Sequence, residues 1–230
     1  MIKRLQRILV ASAIGLALCA VGIWVLTRVL EEGAPRYQGR FLDYWLERAK
    51  GPDPAASNQA CTVLSTAIIP QLTDTMFHDT NDSRLRLALI DQLNTLPGIQ
   101  IHATIAEGRR AMAAQTLGVI GPRAKATIPD LIRVLKVNDP APRPDAASAL
   151  GQIHSEPETV IPLLVALLDD PQDGVPEKAA AALGQFGSLS KAAVPKLLKL
   201  LTVPEKDLRF AVTIALKQID PEEAAKAGVR

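Results

Sequence analysis

The sequence predicts an all-α protein, an α/α superhelix (a solenoid) behind an N-terminal transmembrane helix. Three observations carry this reading. A small-residue phrase recurs at a fixed interval: AAQTLGVIG at Ala113–Gly121, AASALGQIH at Ala146–His154 and AAAALGQFG at Ala179–Gly187. Aromatics make up only 3% of the 230 residues, which suits close-packed helices better than sheets, where aromatic and β-branched side chains prevail. Near the start, an uninterrupted apolar run lies between basic residues.

Aligned on Leu117, Leu150 and Leu183, the phrases stand 33 residues apart, and one more step of 33 reaches Leu216 inside AVTIALKQI. The same interval relates Ile120, Ile153, Phe186 and Ile219, and it relates Pro129, Pro162 and Pro195, which open IPDLIRVL, IPLLVALL and VPKLLKLL. Periods of this size mark helical solenoids. Each unit reads as two helices. Helix A begins near its proline, which has no N–H to lose in a first turn. Its apolar residues follow at helical spacing, as in Leu163, Leu164, Leu167 and Leu168. A polar break such as DDPQDG at Asp169–Gly174 comes next, and helix B is the alanine-rich phrase.

Gly118, Gly151 and Gly184 sit inside helix B near its end. A helical glycine costs about 1 kcal/mol relative to alanine. Close approach of an adjoining helix accounts for its recurrence, and so does help in ending helix B. Lys217 takes this place in the fourth copy, and Gly228 stands where the next helix-A proline would fall, so the array closes on a C-terminal half repeat.

At the N-terminus Lys3, Arg4 and Arg7 precede ILVASAIGLALCAVGIWVLT, Ile8 to Thr27, and Arg28 follows. At a rise of 1.5 Å per residue this run matches a hydrocarbon core of about 30 Å. It reads as a retained signal anchor. A cleaved signal peptide, the alternative, has a shorter apolar region. The basic start places the N-terminus in the cytoplasm and the body on the periplasmic or extracytoplasmic side, a vote that Arg28, Arg36 and Arg40 weaken.

The expected organisation is then residues 1–30 as basic flank and anchor, touching the membrane through 8–30, and residues 31–54 as linker and short amphipathic helix. That helix is FLDYWLERA at Phe41–Ala49, which caps the first repeat or lies near the membrane. Residues 55–106 form divergent helical repeats, with a helix A around Pro70, a helix B over Asp82–Leu96 and a further helix around Ile99–Gly108. Residues 107–230 hold the regular repeats.

Charge and residue types then narrow the function. The formal charge is +2, but without Lys3, Arg4, Arg7 and Arg28 there are 22 basic residues against 24 acids. A nucleic-acid binder keeps its positive charge on the folded body, so nucleic acid is not an expected partner. Cys61 is the one cysteine after the apolar run, reading as a small buried hydrophobe rather than a reactive thiol. His78, His102 and His154 lie far apart with no ligand cluster around them, so no metal is expected. No phosphate loop or nucleophile triad is present, and acidic pairs such as Asp169-Asp170 read as solvated turns. No catalytic or cofactor-binding residue is assigned. One ladder invites a binding role: Gln152, Gln185 and Gln218 occupy one site in successive helices B, with Val119 in the first. Equivalent exposed positions of a solenoid line a shared surface, and Gln both donates and accepts hydrogen bonds. An ordinary helix surface is the plainer reading of the same residues.

These units resemble HEAT repeats, in particular the short kind first associated with phycobilisome bilin lyases. The family's helix-B phrase opens with an Arg ahead of small residues and Leu-Gly. Here Arg110, Arg143 and Arg209 stand seven residues before Leu117, Leu150 and Leu216, while Pro176 breaks the rule in the third copy. The stretch YQGRFLDYWLERA after the apolar run is similar to the start of membrane-anchored bacterial HEAT-repeat proteins. The resemblance implies that the Arg supports packing or pairs with an acid of the inter-repeat turn, for which Asp139, Asp173 and Asp207 are candidates. Contact with a partner is the other role for a partly exposed Arg. The resulting expectation is a non-enzymatic protein-binding scaffold displayed from a membrane to a protein partner. The alternative is a bilin-lyase-like or other small-molecule enzyme using the solenoid groove. The fold by itself decides between neither.

Overall fold

The computed structural model describes residues 36–37, 39–80, 105–137 and 139–229, together with Ala88, Asp91 and Gln92. The chain divides into two compact units, residues 36–81 with 105–230, and residues 1–35 with 82–104. Of the second unit only Ala88, Asp91 and Gln92 are described, and all three are helical.

The first unit opens with a small antiparallel hairpin, β1 (Arg36–Tyr37) and β2 (Arg40–Phe41), turned by Gly39 at φ 73°. This lies where the sequence reads as linker. Helix α1 (Leu42–Lys50) follows at once and buries Trp45, Leu46 and Ala49. The Trp45 indole N–H donates to the Tyr37 carbonyl at 3.4 Å, and the two rings meet edge to face at 6.1 Å, which fastens the hairpin to α1. Against α1 packs α2 (Pro54–Val63), whose start is fixed by Asp53, a side-chain cap accepting from the Ala55 N–H at 3.0 Å, with Pro54 at the first position.

From α2 the chain continues through a π turn (Leu64–Ile68) into α3 (Ile69–His78). The widened turn, in which the Ile69 N–H reaches back to the Leu64 carbonyl, lies directly before Pro70. Proline offers no N–H to the regular ladder and crowds the carbonyl four residues back; widening the turn ahead of it keeps one helical path.

The regular array is built from α4 (Ala106–Ile120), α5 (Ile128–Lys136), α6 (Arg143–Ile153), α7 (Pro157–Leu167), α8 (Val175–Gln185), α9 (Val194–Leu200), α10 (Lys206–Ile219) and the short α11 (Pro221–Lys226). Helices α4, α6, α8 and α10 are the alanine-rich B helices, each packed on the next. Helices α5, α7 and α9 are the A helices, packed on the B helix that follows each in the chain, and α3 packs against α4. Helices α5 and α9 start one residue before Pro129 and Pro195, each entered through a 3-10 turn (Gly121–Thr127 and Gly187–Ala193). Helix α7 differs from expectation: it begins at Pro157, so Pro162 lies in its interior. Two nearby entry prolines can each serve as a helix start, and the earlier one does so here.

The core is one continuous layer of the ladder residues: Leu117, Leu150, Leu183 and Leu216 are all completely buried, as are Leu131, Leu164 and Leu197 of the A helices. At about 1.5–3 kcal/mol for each large apolar side chain removed from water, this ladder is the main source of stability. Gly121 and Gly187, at φ 68° and 56°, turn the chain out of α4 and α8, and His154 takes the same left-handed place after α6 at φ 49°. Its ring lies flat over Phe186 of the next repeat, 4.8 Å between centroids.

The expectation of a single-pass membrane protein is corrected. Among the described residues no helix is long and apolar enough to cross a membrane. The proposed anchor at Ile8–Thr27 and the membrane contact through 8–30 lie outside the described residues. The N-terminal transmembrane helix therefore leaves the fold class, and the anchored bacterial type, the signal anchor and the extracytoplasmic placement of the body leave the reading with it. The helix expected over Asp82–Leu96 also falls outside the described residues apart from Ala88, Asp91 and Gln92.

Candidate interaction surface and cleft

In α4 and α6 the recurring glycines are not helix terminators, since α4 runs on to Ile120 and α6 to Ile153, whereas Gly184 lies one residue before the end of α8. All three are points of backbone contact. A Cβ added to Gly118 would come within 2.9 Å of the Ala149 Cα, one on Gly151 within 2.7 Å of the Ala182 Cα, and one on Gly184 within 3.0 Å of the Ala215 Cα. Each glycine also lies under the amide of a glutamine from the next B helix, Gly118 under Gln152, Gly151 under Gln185 and Gly184 under Gln218. The glycine and glutamine ladders are thus one device, offset by a repeat. The first B helix has Val119 where the glutamine would be, and the last has Lys217 where the glycine would be.

The glutamines lie on the outward side of the B layer. Gln152 is half-buried, with its Nε2 donating to the Ser148 Oγ at 3.1 Å, while Gln185 and Gln218 are exposed. Their neighbours on this side include Met112 and Val119 of α4, both exposed, and Asp145 of α6. Burial holds the Asp145 carboxyl above the ordinary carboxylate range of 3.8, opposed by the nearby Lys178 ammonium.

The arginine ladder joins repeats along the A–B turns. Arg110 pairs with Asp139 of the next turn, Nε to Oδ2 at 3.0 Å, while its Nη1 donates to the Asp79 carbonyl at 2.7 Å. Arg109 forks onto the Asp79 carboxylate at 2.6 and 2.8 Å, clipping the end of α3 to the start of α4. Arg143 pairs with Asp170, donates to the Gln172 Oε1 at 2.8 Å and to the Leu135 carbonyl at 3.2 Å. Asp170, rather than Asp173, is therefore the partner; it accepts the Gln172 N–H at 3.0 Å, which turns it inward, while Asp173 is exposed. Arg209 donates to the Val203 and Pro204 carbonyls of its own turn, so backbone rather than Asp207 receives it. Where Pro176 interrupts the ladder, the A helices supply a substitute: Lys196 of α9 donates to Asp169 at 2.6 Å and to the Val165 carbonyl at 2.8 Å.

The two kinds of arginine differ in what their loss should cost. Arg209→Ala removes hydrogen bonds to carbonyls that water can reach, so it is expected to cost about 0.5–1.5 kcal/mol. Chemical denaturation of the variant beside the parent checks this, and a loss above about 3 kcal/mol would contradict the solvated setting.

One cleft, of about 450 Å³, opens beside the π turn. Leu64 and Ile69 form its apolar floor, and Asn58, Cys61, Thr62, Ser65 and Arg123 its polar wall. Cys61 is half-buried there rather than in the core. Arg123, from the 3-10 turn after α4, also donates to the Ala49 carbonyl at 3.2 Å, which holds its side chain across the end of α1. The cleft's volume falls in the range of small-molecule sites, about 300–1,000 Å³. Sequence reasoning missed this cleft, because residues 58–69 and 123 come together only in the fold. Among the described residues no group of three His, Cys, Asp or Glu side chains is placed to hold a metal ion.

Helix pairs of constant period, stacked through small residues and joined by polar clips at their turns, define an α-solenoid repeat protein. The HEAT-repeat family model matches residues 107–184 and again 161–227, together more than half of the chain. The chain belongs to the HEAT-repeat family. No curated protein matches it. Among solved structures it is similar to a chain in the complex of CpcE and CpcF of phycocyanin lyase from Nostoc sp. PCC7120, with 22% identity and a TM-score of 0.50 over 84% of this chain and 70% of that one.

Proposed function

We propose that this chain is a subunit of a lyase-type complex, a HEAT scaffold that binds a partner protein and takes a small molecule into its cleft. The observation that carries the reading is the fold correspondence with the CpcE–CpcF complex of phycocyanin lyase over most of both chains. It favours the lyase-like reading over a scaffold displayed from a membrane. The cleft at Cys61 and Arg123 supports it with an apolar floor, a thiol and a guanidinium, groups suited to an extended apolar molecule bearing carboxylates. A linear tetrapyrrole has that chemistry. The outward side of the B layer, with Gln152, Gln185 and Gln218, is the surface proposed for the partner protein.

The test is titration of the full-length chain with a free linear tetrapyrrole, followed by absorbance and fluorescence. The expected result is a saturable red shift with raised fluorescence. Thr62→Trp, which fills the cleft from an exposed position, should abolish it, and Arg123→Ala should weaken it about tenfold. An unshifted spectrum with a folded parent protein, or full binding by Thr62→Trp, would remove the cleft from the reading and leave a protein-binding scaffold.

A further inference from the structure

The wall of the Cys61 cleft has a polarity that its residue types alone do not show. Asn58, Thr62, Ser65 and Ile69 follow along α2 and the π turn at steps of four, three and four, so they share one face of the helix. A hydroxyl on that face carries one proton and two lone pairs. The Thr62 Oγ1 donates its proton to the Asn58 carbonyl at 2.9 Å, and the Ser65 Oγ donates its own to the Thr62 carbonyl at 3.1 Å. Both directions are fixed, because a carbonyl only accepts. What each hydroxyl keeps for a ligand is acceptor capacity alone.

The π turn adds a third acceptor to the same stripe. Ile69 gives its N–H to the Leu64 carbonyl rather than to the Ser65 carbonyl four residues back, and Pro70 has no N–H to give. The helix therefore passes over the Ser65 carbonyl. Arg123 is the opposite case. A guanidinium only donates, and the bond to the Ala49 carbonyl leaves further N–H groups for a ligand. The Asn58 amide can meet either kind of group. A molecule resting on Leu64 and Ile69 thus meets two unlike demands, an acid at Arg123 and a donor at the hydroxyl stripe.

We infer that Thr62 and Ser65 make this cleft selective for flat apolar acids that carry a ring N–H. The inference rests on the small-molecule reading of the cleft given above and narrows it to ligands with a donor edge. A fatty acid satisfies Arg123 and the apolar floor but brings no donor to the stripe. A ligand oxygen at the stripe faces lone pairs, and it obtains a proton only by breaking a hydroxyl's bond to the helix.

Calorimetric titration of the full-length chain with indole-3-propionate and with benzofuran-3-propionate tests it. The two acids share shape and charge and differ in a ring N–H against a ring oxygen. The indole acid is expected to bind about threefold to tenfold tighter. In the double variant Thr62→Val with Ser65→Ala this margin should close, through loss of affinity for the indole acid alone. Arg123→Ala should weaken both acids alike. The comparison of the two acids on the parent needs no variant, so misfolding cannot imitate its result. The inference is overturned by equal affinity for the two acids, by binding of neither, or by a margin that persists in the double variant. A margin found where the tetrapyrrole does not bind keeps the selectivity and removes the tetrapyrrole. A tetrapyrrole bound in the cleft without any margin between the acids does the reverse.

Discussion

Arg143→Ala is expected to lower the unfolding free energy by about 2–3 kcal/mol, the largest loss of any single arginine in the ladder. The guanidinium is 18% exposed and the Asp170 carboxylate 9%. Removing the cation leaves Asp170 to the single N–H of Gln172 and strips Gln172 and Leu135 of a bond as well. Much of the loss is the cost of a carboxylate held out of water without its counter-charge. A double-mutant cycle separates that part: Arg143→Ala with Asp170→Ala should cost less than the two single losses together. Additive losses would show that the pair contributes through packing alone. Because the clip joins α6 to the turn between α7 and α8, the damage should fall on the docking of adjacent repeats, seen as faster hydrogen exchange at that junction.

Gly151→Val should be the most disruptive change on the B layer, costing about 2–4 kcal/mol. The new side chain meets the Ala182 backbone at a place where even a Cβ would be 2.7 Å from the Cα. Backbone cannot swing aside as a flexible side chain can, so α6 and α8 must separate. The gain in helix propensity from removing glycine, a fraction of 1 kcal/mol for valine, is too small to offset this. Thermal melts of Gly151→Val against Gly151→Ala would grade the effect by size; a melting temperature unchanged in both would mean that the helices are not in backbone contact. Lys217→Gly, at the equivalent place in α10, is expected to destabilise modestly, with about 1 kcal/mol of the loss from helix propensity.

The ladders of Leu, Ala, Gly and Pro were legible in the sequence because a solenoid repeats its environment every 33 residues, and the same burial then selects the same residue. Leu117, Leu150, Leu183 and Leu216 are buried to the same degree for that reason. Positions with several candidates in one turn were not legible. DDPQDG offers three acids to Arg143, and only the hydrogen bond from the Gln172 N–H decides that Asp170 faces inward. Pro162 misled in a similar way, since the helix start depends on which of two prolines the preceding turn reaches first. The glutamine ladder was visible, but its fit over the glycines was not, because that contact joins residues one full repeat plus one position apart. The cleft and the exposed Phe210 depend on what the rest of the chain leaves uncovered, and residue spacing carries no such information. The apolar run at residues 8–27 led to the membrane-spanning expectation that is corrected above, and it lies outside the described residues.

The one-repeat offset between glycine and glutamine also determines how such a protein can lengthen. A duplicated segment preserves every glycine–glutamine seat only if it is copied in the middle of the array, where its leading helix brings a glutamine and its trailing helix a glycine. A copy of residues 147–179, inserted in tandem, joins a glutamine-bearing helix to a glycine-bearing one at both seams. The same segment added beyond α10 would meet Lys217 and find no seat. Within the array the unit of duplication therefore straddles two helices rather than coinciding with one repeat.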